Sequence, residues 1–489
     1  MTLLDDVHDR ELARLTHPDD WAPPTVADRY HLVVIGGGPA GLVAALGAAG
    51  LGARVALIEK GLLGGDCLVH GCVPSKAVLR AAHAAAAVKD AARFGVDAEL
   101  RSVDVGAVME RMRAIRAGIA PHDSAERLQR EGVDVFFGDA RFTGPDTVRA
   151  GDTELRFLRC CIATGARAAR PPIPGIDEVE VLTNEELFAL TEAPPRLTVV
   201  GAGVIGCEMA QAFARLGSRV TLVDVADRVL VREDAEAAAV VQRALEADGV
   251  KLRLGTGVER FEADRVTVLN GGERVPADAI LLAVGRTPNT DLDLDKAGVA
   301  FDKRGIQVDA RLATSNPRIY AAGDVIGQAQ LTHAADHHAR IVIQNALFFG
   351  RRRVGDLVIP RATYTSPELA AVGVTGEEAA ARPTLTPFTV GVGETDRGRT
   401  DGESEGFLRV WADTGGRIHG ATIVGEHAGE LLAPITLAMT HGLTLGQIAS
   451  TIHPYPTRSE LLFKAASAWN KGRLAPWMKQ ALGWYWAAR

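Results

Sequence analysis

Cys67 and Cys72 stand five positions apart in the run Gly64-Gly65-Asp66-Cys67-Leu68-Val69-His70-Gly71-Cys72-Val73-Pro74-Ser75-Lys76. Two thiols brought together can cycle between dithiol and disulfide and so carry electrons. On a regular helix this spacing puts the Cα atoms roughly 8–9 Å apart, beyond disulfide reach. The expectation is therefore that Gly71 lets the first helical turn distort enough to close the bridge. A helix N-terminus here lowers thiol pKa and favours the nucleophilic thiolate. On the pair alone, the alternative of two separate buried cysteines stays open. The other cysteines are Cys160, Cys161 and Cys207. Cys160 and Cys161 are adjacent, but their strand-like run reads as core. So few cysteines in 489 residues exclude a secreted disulfide scaffold and read as cytosolic, with any disulfide catalytic.

The elements that must position this pair are legible upstream. His31–Gly41 reads HLVVIGGGPAG and Arg196–Gly206 reads RLTVVGAGVIG. Each is a β-branched run, a glycine-rich turn and an Ala-rich helical stretch, followed by a second apolar run, which is β-α-β twice. In the first copy Gly36 permits the tight turn, Gly38 admits a pyrophosphate to the helix N-terminus, and Gly41 allows close helix–strand packing. Glu59 lies 23 residues after Gly36, where a carboxylate accepts from ribose hydroxyls. In the second copy Gly201, Gly203 and Gly206 take those places, with Asp224 as the acidic strand end. An acidic residue there favours NAD over NADP, although Arg219 and Arg228 lie close enough in sequence to meet a 2′-phosphate. Two such sites in one chain imply a flavin beside a nicotinamide.

The uncharged stretch from Leu32 to Ala53 is long enough to mimic a membrane span, but its glycines are accounted for by the nucleotide motif. The net charge of −7 and the lack of a long basic run give no sign of nucleic-acid binding. Lys76–Arg130 reads as helical, starting after Pro74. Pro194-Pro195 marks the entry to the second nucleotide domain. After Pro360 the pattern turns to strands (Gly406–Trp411, Ile418–Val424) and then two helices. The tail Gly472–Arg489 carries Trp477, Trp484, Tyr485 and Trp486 with Lys479 and Arg489. It reads as a helix packed on its own protein or a partner subunit, or as a contact with a membrane surface.

With these parts in place, GGDCLVHGCVPSK resembles the active-site motif of the class I pyridine nucleotide-disulfide oxidoreductases, which include dihydrolipoamide dehydrogenase, glutathione reductase and mercuric reductase. IATGARAARPPIPG (Ile162–Gly175), AVGRTPNT (Ala283–Thr290) and TSNPRIYAAGD (Thr314–Asp324) resemble further signatures in family order, over about residues 30–475. The resemblance implies an α/β fold with two Rossmann-like domains and a C-terminal α+β dimerisation domain. The expected layout is an N-terminal extension (1–29), an FAD domain (30–190 and 286–355), an NAD(P) domain (191–285), an interface domain (356–471) and the Trp-rich tail (472–489). It implies FAD and NADH or NADPH as cofactors and a homodimer with shared active sites. Cys67 becomes the interchange thiol and Cys72 the flavin-facing thiolate. Lys76 is placed near the flavin N5, paired with Glu208, and Asp324 on the ribityl chain. Lys60, Gly65, Thr164, Gly165 and Gly285 join the cofactor-binding set.

The sequence departs from the family at one end of the site. Disulfide-reducing members carry His-Pro-Thr-x-x-Glu near the C-terminus. Here the stretch is His453-Pro454-Tyr455-Pro456-Thr457-Arg458-Ser459-Glu460, and Tyr455 takes the histidine's position while Glu460 keeps register. A phenol with pKa near 10 is a poor general base at neutral pH. His453 shares a face with Tyr455 in an extended segment and either replaces the base or caps the turn. The Pro-Tyr and the stretches EMAQAFARLGSRVT (Glu208–Thr221) and FKAASAWNKG (Phe463–Gly472) resemble the mercuric reductase branch. That branch's terminal vicinal cysteines and N-terminal metal-binding domain are missing. Asp66, where relatives place Thr, is expected to repel a pyrophosphate unless it turns away or meets a cation. His333, His337 and His338 form a possible metal cluster, and Hg²⁺ or Cu²⁺ could sit at Cys67 and Cys72. Three readings follow: an NAD(P)H-dependent reductase of a metal ion or other non-disulfide acceptor; a dihydrolipoamide dehydrogenase or low-molecular-weight disulfide reductase; and a flavoprotein serving a membrane-associated system through its tail.

Overall fold

The β-branched and aromatic run YHLVVI forms the buried strand β1 (Tyr30–Ile35), and the small-residue run after it forms α2 (Pro39–Gly50), with α1 (Val7–Thr16) preceding both. The 32–53 stretch is thus a strand and a helix. Among the described residues no helix is long and apolar enough to cross a membrane. This computed structural model describes residues 3–473 and 476–489. Met1 and Thr2 of the extension, and Leu474 and Ala475 of the tail, lie outside the described residues.

The chain forms two compact units. One comprises Met1–Gly201, Ala212–Val223 and Gly257–Leu357; the other comprises Ala202–Gln211, Asp224–Thr256 and Val358–Arg489. In the first, α2 returns to β2 (Val55–Glu59), and the chain passes through α3 (Gly65–Val69), α4 (Cys72–Asp90), α5 (Val105–Ile119) and α6 (Ala125–Arg130) to β3 (Val133–Phe137). A hairpin of β4 (Ala140–Gly144) and β5 (Thr147–Ala150) leads to β6 (Thr153–Ile162). The sheet runs β3-β2-β1-β6-β5-β4, and Ile319–Ala321 adds to β6. β1 lies parallel between β2 and β6, with Val34 opposite Leu57 on one side and Cys161 on the other. Such doubly buried parallel strands explain the near-continuous apolar runs. A second parallel sheet in this unit orders Arg219–Val223, Arg196–Val200, Ala279–Leu282 and Val181–Leu182.

The second unit holds an antiparallel sheet ordered Pro360–Thr363, Glu368–Gly373, Ile418–Gly425, Phe407–Ala412 and Thr386–Gly391. Helices Ala433–Thr440, Leu445–Ser450 and Glu460–Gly472 pack their apolar faces on its core. The two strands and two helices read from sequence are therefore part of a larger α+β layer pair.

The helical reading of 76–130 needs correction. α4 begins at Cys72, not after Pro74, because a proline in the first helical turn forfeits only an N–H that has no partner there. The helix ends at Asp90, and α5 and α6 are separate elements.

Candidate active site

The thiol pair sits on a helix break. Cys67 lies in α3, His70 and Gly71 leave helical geometry, and Cys72 opens the 19-residue α4. The expected distortion therefore takes the form of two helices meeting at Gly71, where a Cβ would press against the Asp66 carbonyl oxygen at 2.9 Å. The two thiols hydrogen-bond each other, and that contact holds Cys72 down at about 6 while pushing Cys67 up. The Lys76 ammonium and the Thr332 hydroxyl also favour the Cys72 thiolate, and the Asp66 charge opposes it. Thr332 Oγ1 stands 3.2 Å from Cys72 Sγ and 3.5 Å from Cys67 Sγ. In the dithiol form this arrangement favours the proton on Cys67 and the anion on Cys72, which lies at a helix N-terminus.

Asp66 does meet a cation. Its Oδ2 pairs with Arg286 Nη1 at 2.9 Å and its Oδ1 accepts from Asn184 Nδ2 at 2.8 Å. Arg286 also donates to the Ala166 carbonyl at 2.5 Å and pairs with Asp324 at 3.4 Å. Asn184 reaches the His70 carbonyl at 3.2 Å, next to Gly71. A carboxylate at position 66 is thus held on the redox loop by residues more than a hundred positions away. Burial pushes the Asp324 carboxyl up, Arg286 lowers it and Asp66 raises it further.

The first nucleotide loop fits an FAD pyrophosphate. Gly36 has φ +105° and a Cβ on it would lie 2.4 Å from the Ala163 carbonyl oxygen; one on Gly41 would lie 1.7 Å from that of Gly36. A Cβ on Gly38, the N-cap of α2, would meet only Gly65 Cα at 3.9 Å. That leaves open space at a helix end whose N–H groups suit a phosphate. Gly65 itself crosses Gly38 closely, since its own Cβ would lie 2.7 Å from Gly38 Cα. Glu59 accepts from Gly37 N–H at 2.5 Å and Gly61 N–H at 2.7 Å. Burial pushes its carboxyl up, against those two bonds and the Lys60 charge. Thr164 and Asn289 latch each other, Oγ1 to carbonyl at 2.7 Å and Nδ2 to carbonyl at 2.9 Å, beside Gly165.

The second loop repeats this construction. Gly201 (φ +109°) closes on the Ala283 carbonyl oxygen as Gly36 closes on Ala163. Asp224 accepts from Ala202 N–H at 2.5 Å and Ala226 N–H at 2.8 Å. Gly285 has φ +122°, and Gly203 has nothing within 4 Å of a built Cβ. Arg228 is engaged with the Val231 carbonyl and Glu377. Glu208, buried on the helix after this loop, accepts from Tyr364 N–H at 2.8 Å.

In the second unit the exposed Tyr455 donates to Asp396 Oδ2 at 2.9 Å, and Glu460 accepts from Asp396 N–H at 3.2 Å. The Asp396 carboxylate pushes the phenol further up. His453 turns to the Ile448 carbonyl at 3.4 Å and packs on Phe463, ring centroids 5.7 Å apart. His337 bonds the His333 carbonyl, and His338 is buried with Nδ1 accepting from Gly323 N–H at 3.4 Å. Among the described residues no group of three or more His, Cys, Asp or Glu is arranged to hold a metal. Cys160 and Cys161 are fully buried in β6, and burial pushes both thiols up. The sequence reading missed the partners Thr332, Asn184 and Asp396. Thr332 stood beside the histidines of LTHAADHHAR, and Arg286 stood inside AVGRTPNT.

A dinucleotide loop leading into a polarised thiol pair defines a flavin- and nicotinamide-dependent dithiol oxidoreductase. The chain belongs to the pyridine nucleotide-disulphide oxidoreductase family, whose model matches residues 30–339 and whose dimerisation-domain model matches residues 359–466. Members of this family are FAD-dependent and use NAD(P)H. The chain is 35% identical to a mercuric reductase of Bacillus cereus over 90% of its length and 72% of the relative's. It is 38% identical to a dihydrolipoyl dehydrogenase of Thermus scotoductus, over 90% and 98%. The Cu(II) complex of the HOCl-induced flavoprotein disulfide reductase RclA from Escherichia coli superposes with a TM-score of 0.79 at 30% identity, covering 88% of this chain and 98% of that one.

Proposed function

We propose that this chain is an NAD(P)H oxidoreductase that reduces a soft metal ion, such as Hg²⁺ or Cu²⁺, at Cys67 and Cys72. The observation that carries this reading is Tyr455. A disulfide acceptor needs a proton delivered to its leaving thiolate. Here the residue in the histidine's place is a phenol whose proton is donated to Asp396 and whose acidity that carboxylate weakens further, so it is a poor proton donor to a leaving thiolate. A soft cation needs no such proton. It binds the two sulfurs with release of any thiol proton and is reduced while thiolate-bound, the electrons coming from the hydride of NAD(P)H, which leaves as NAD(P)⁺ and H⁺.

FAD, when bound, supplies the two-electron link between the nicotinamide and the thiol pair. Gly36, Gly38, Gly41, Glu59 and Asp324 are assigned to hold it, Lys76 to its N5 edge, and Glu208 to the countercharge. Residues 191–285 are assigned to the nicotinamide, with NADH favoured because Asp224 closes the second loop and Arg228 is already committed. The chain acts as a homodimer in which the partner contributes the Tyr455 region. The similarity to a mercuric reductase and to a Cu(II)-complexed reductase supports the metal reading.

The test is an acceptor panel of Hg²⁺, Cu²⁺ and lipoamide with NADH and NADPH. Metal-stimulated nicotinamide oxidation is expected and should vanish in Cys67→Ser. Absence of any metal-stimulated turnover overturns the proposal. Rapid lipoamide turnover that survives Tyr455→Phe and is lost in His453→Ala establishes the dihydrolipoamide dehydrogenase reading instead.

A further inference from the structure

The N-terminal extension lies outside the family match, which begins at residue 30, yet it is bonded into the redox loop. α1 is capped by Asp6, whose side chain accepts from His8 and Asp9 N–H and pairs with Arg113. One turn on, Asp9 is 1% exposed and pairs with Arg116, 2% exposed, at 2.5 Å. The other arm of Arg116 donates to the Val69 carbonyl at 2.8 Å. Val69 lies between the two cysteines. Leu12 packs fully buried in one cluster with Leu62, Leu68, Val69 and Ala120. The Thr16 carbonyl accepts from Leu63 N–H at 3.2 Å, and His17 bonds the Gly61 carbonyl at 2.7 Å. Bonds from this one segment therefore fall at 61 and 63, and a third, relayed from Asp9 through Arg116 of α5, falls at 69, on the two sides of the Gly64-Gly65 turn that leads into Cys67.

A buried guanidinium left without its carboxylate is strongly unfavourable, and the pair is sensitive to loss of one partner. Arg116 faces Asp9 on one side and a carbonyl of the redox loop on the other, so losing Asp9 pulls on the loop. We propose that residues 3–17 form a strap that positions the redox loop, with Asp9 and Arg116 as its positioning residues. The Val69 carbonyl is the point at which they act. The short helix α3 is five residues long and cannot hold its own geometry in isolation, so external bonds at 63 and 69 fix where Cys67 stands relative to Cys72.

This inference rests on the assignment of Cys67 and Cys72 as the redox pair, and the test separates the two. In wild-type holoenzyme, NADH or NADPH must expose two alkylatable thiols and produce a long-wavelength thiolate–flavin absorbance; failure with both sinks the redox assignment itself. With that established, Asp9→Asn is compared with wild type and with Asp9→Glu. The readouts are the iodoacetamide rate at Cys67 and amide hydrogen exchange over residues 61–72. The expected result is at least a fivefold rise in both for Asp9→Asn, confined to that segment, with partial rescue in Asp9→Glu and unchanged exchange over residues 358–473. Unchanged rates in Asp9→Asn overturn the strap. An equal rise across the whole of the first unit also overturns it, since that marks a general stabilising contact. Removal of residues 1–20 is expected to exceed the effect of Asp9→Asn, and the point variant decides if the truncated chain does not fold.

Discussion

At the scale of single residues, the thiol pair is asymmetric because the hydrogen bond between the two sulfurs raises Cys67 and lowers Cys72. Cys72 has its pKa lowered from 9.0 to about 6, chiefly by the hydrogen bond from Cys67. A depressed thiol is anionic above its pKa and protonated below it. The long-wavelength absorbance of the two-electron-reduced enzyme should therefore persist at neutral pH and fall away with a midpoint near pH 6 on acidification, read by pH-stepped spectrophotometry. Thr332→Val removes a donor to the anion. A hydrogen bond to a charged group contributes about 1.5 kcal/mol, which is roughly one pKa unit, so the midpoint should rise by about that much. Asp66→Asn removes a repelling charge from both thiols, so its midpoint should move the other way. Midpoints that fail to separate in opposite directions would contradict this account. The cysteines were legible in sequence because their spacing and setting are local. Thr332, Asn184 and Arg286 were not, because their relation to Cys67 and Asp66 exists only once the chain has folded over more than a hundred residues. For the same reason Asp66 looked like a defect in sequence and is a bonded carboxylate in the structure.

At the scale of elements, the β-α-β units were readable twice over, since turn glycines and an acidic strand end recur at the same spacing. Glu59 and Asp224 both bond the middle residue of their glycine motif at 2.5 Å. The break between α3 and α4 was harder to see. Helix propensity through Leu68–Ser75 gives no sign of where a two-residue interruption falls, and Pro74 looked like a start when it is a first-turn residue. α1 escaped notice because its composition is polar and acidic; it is fixed by a capping aspartate and buried charges rather than by a wide apolar face. The glycine geometry separates folding from cofactor binding. Gly41→Ala drives a methyl into the Gly36 carbonyl and should lower the melting temperature of the apoprotein. Gly38→Ala meets only Gly65 Cα at 3.9 Å. It should fold with an unchanged melting temperature while binding FAD at least about tenfold more weakly, because the methyl enters the space at the helix end where a phosphate would sit. Fluorimetric titration of apoprotein with FAD, beside thermal melts, distinguishes the two.

At the scale of the whole molecule, the family's dimerisation domain spans 359–466, and sedimentation should give twice the chain mass. The tail helix Pro476–Ala487 carries Trp477, Trp484, Tyr485 and Trp486, all exposed. Flotation with liposomes of the full chain against one ending at Arg473 tests whether that aromatic surface meets lipid; equal behaviour excludes it. Of the five cysteines, Cys160, Cys161 and Cys207 have 0% exposure, and burial pushes all three thiols up. Native protein whose pair has been reduced should therefore titrate two fast thiols with a mercurial, and five only after denaturation. Under the proposed metal-ion reading, whose cargo is a thiol poison, this amounts to built-in tolerance. Each thiol off the reaction path is shut away and held protonated by burial, so a thiol-seeking metal would find the pair that can discharge it and no other thiol that would merely trap it.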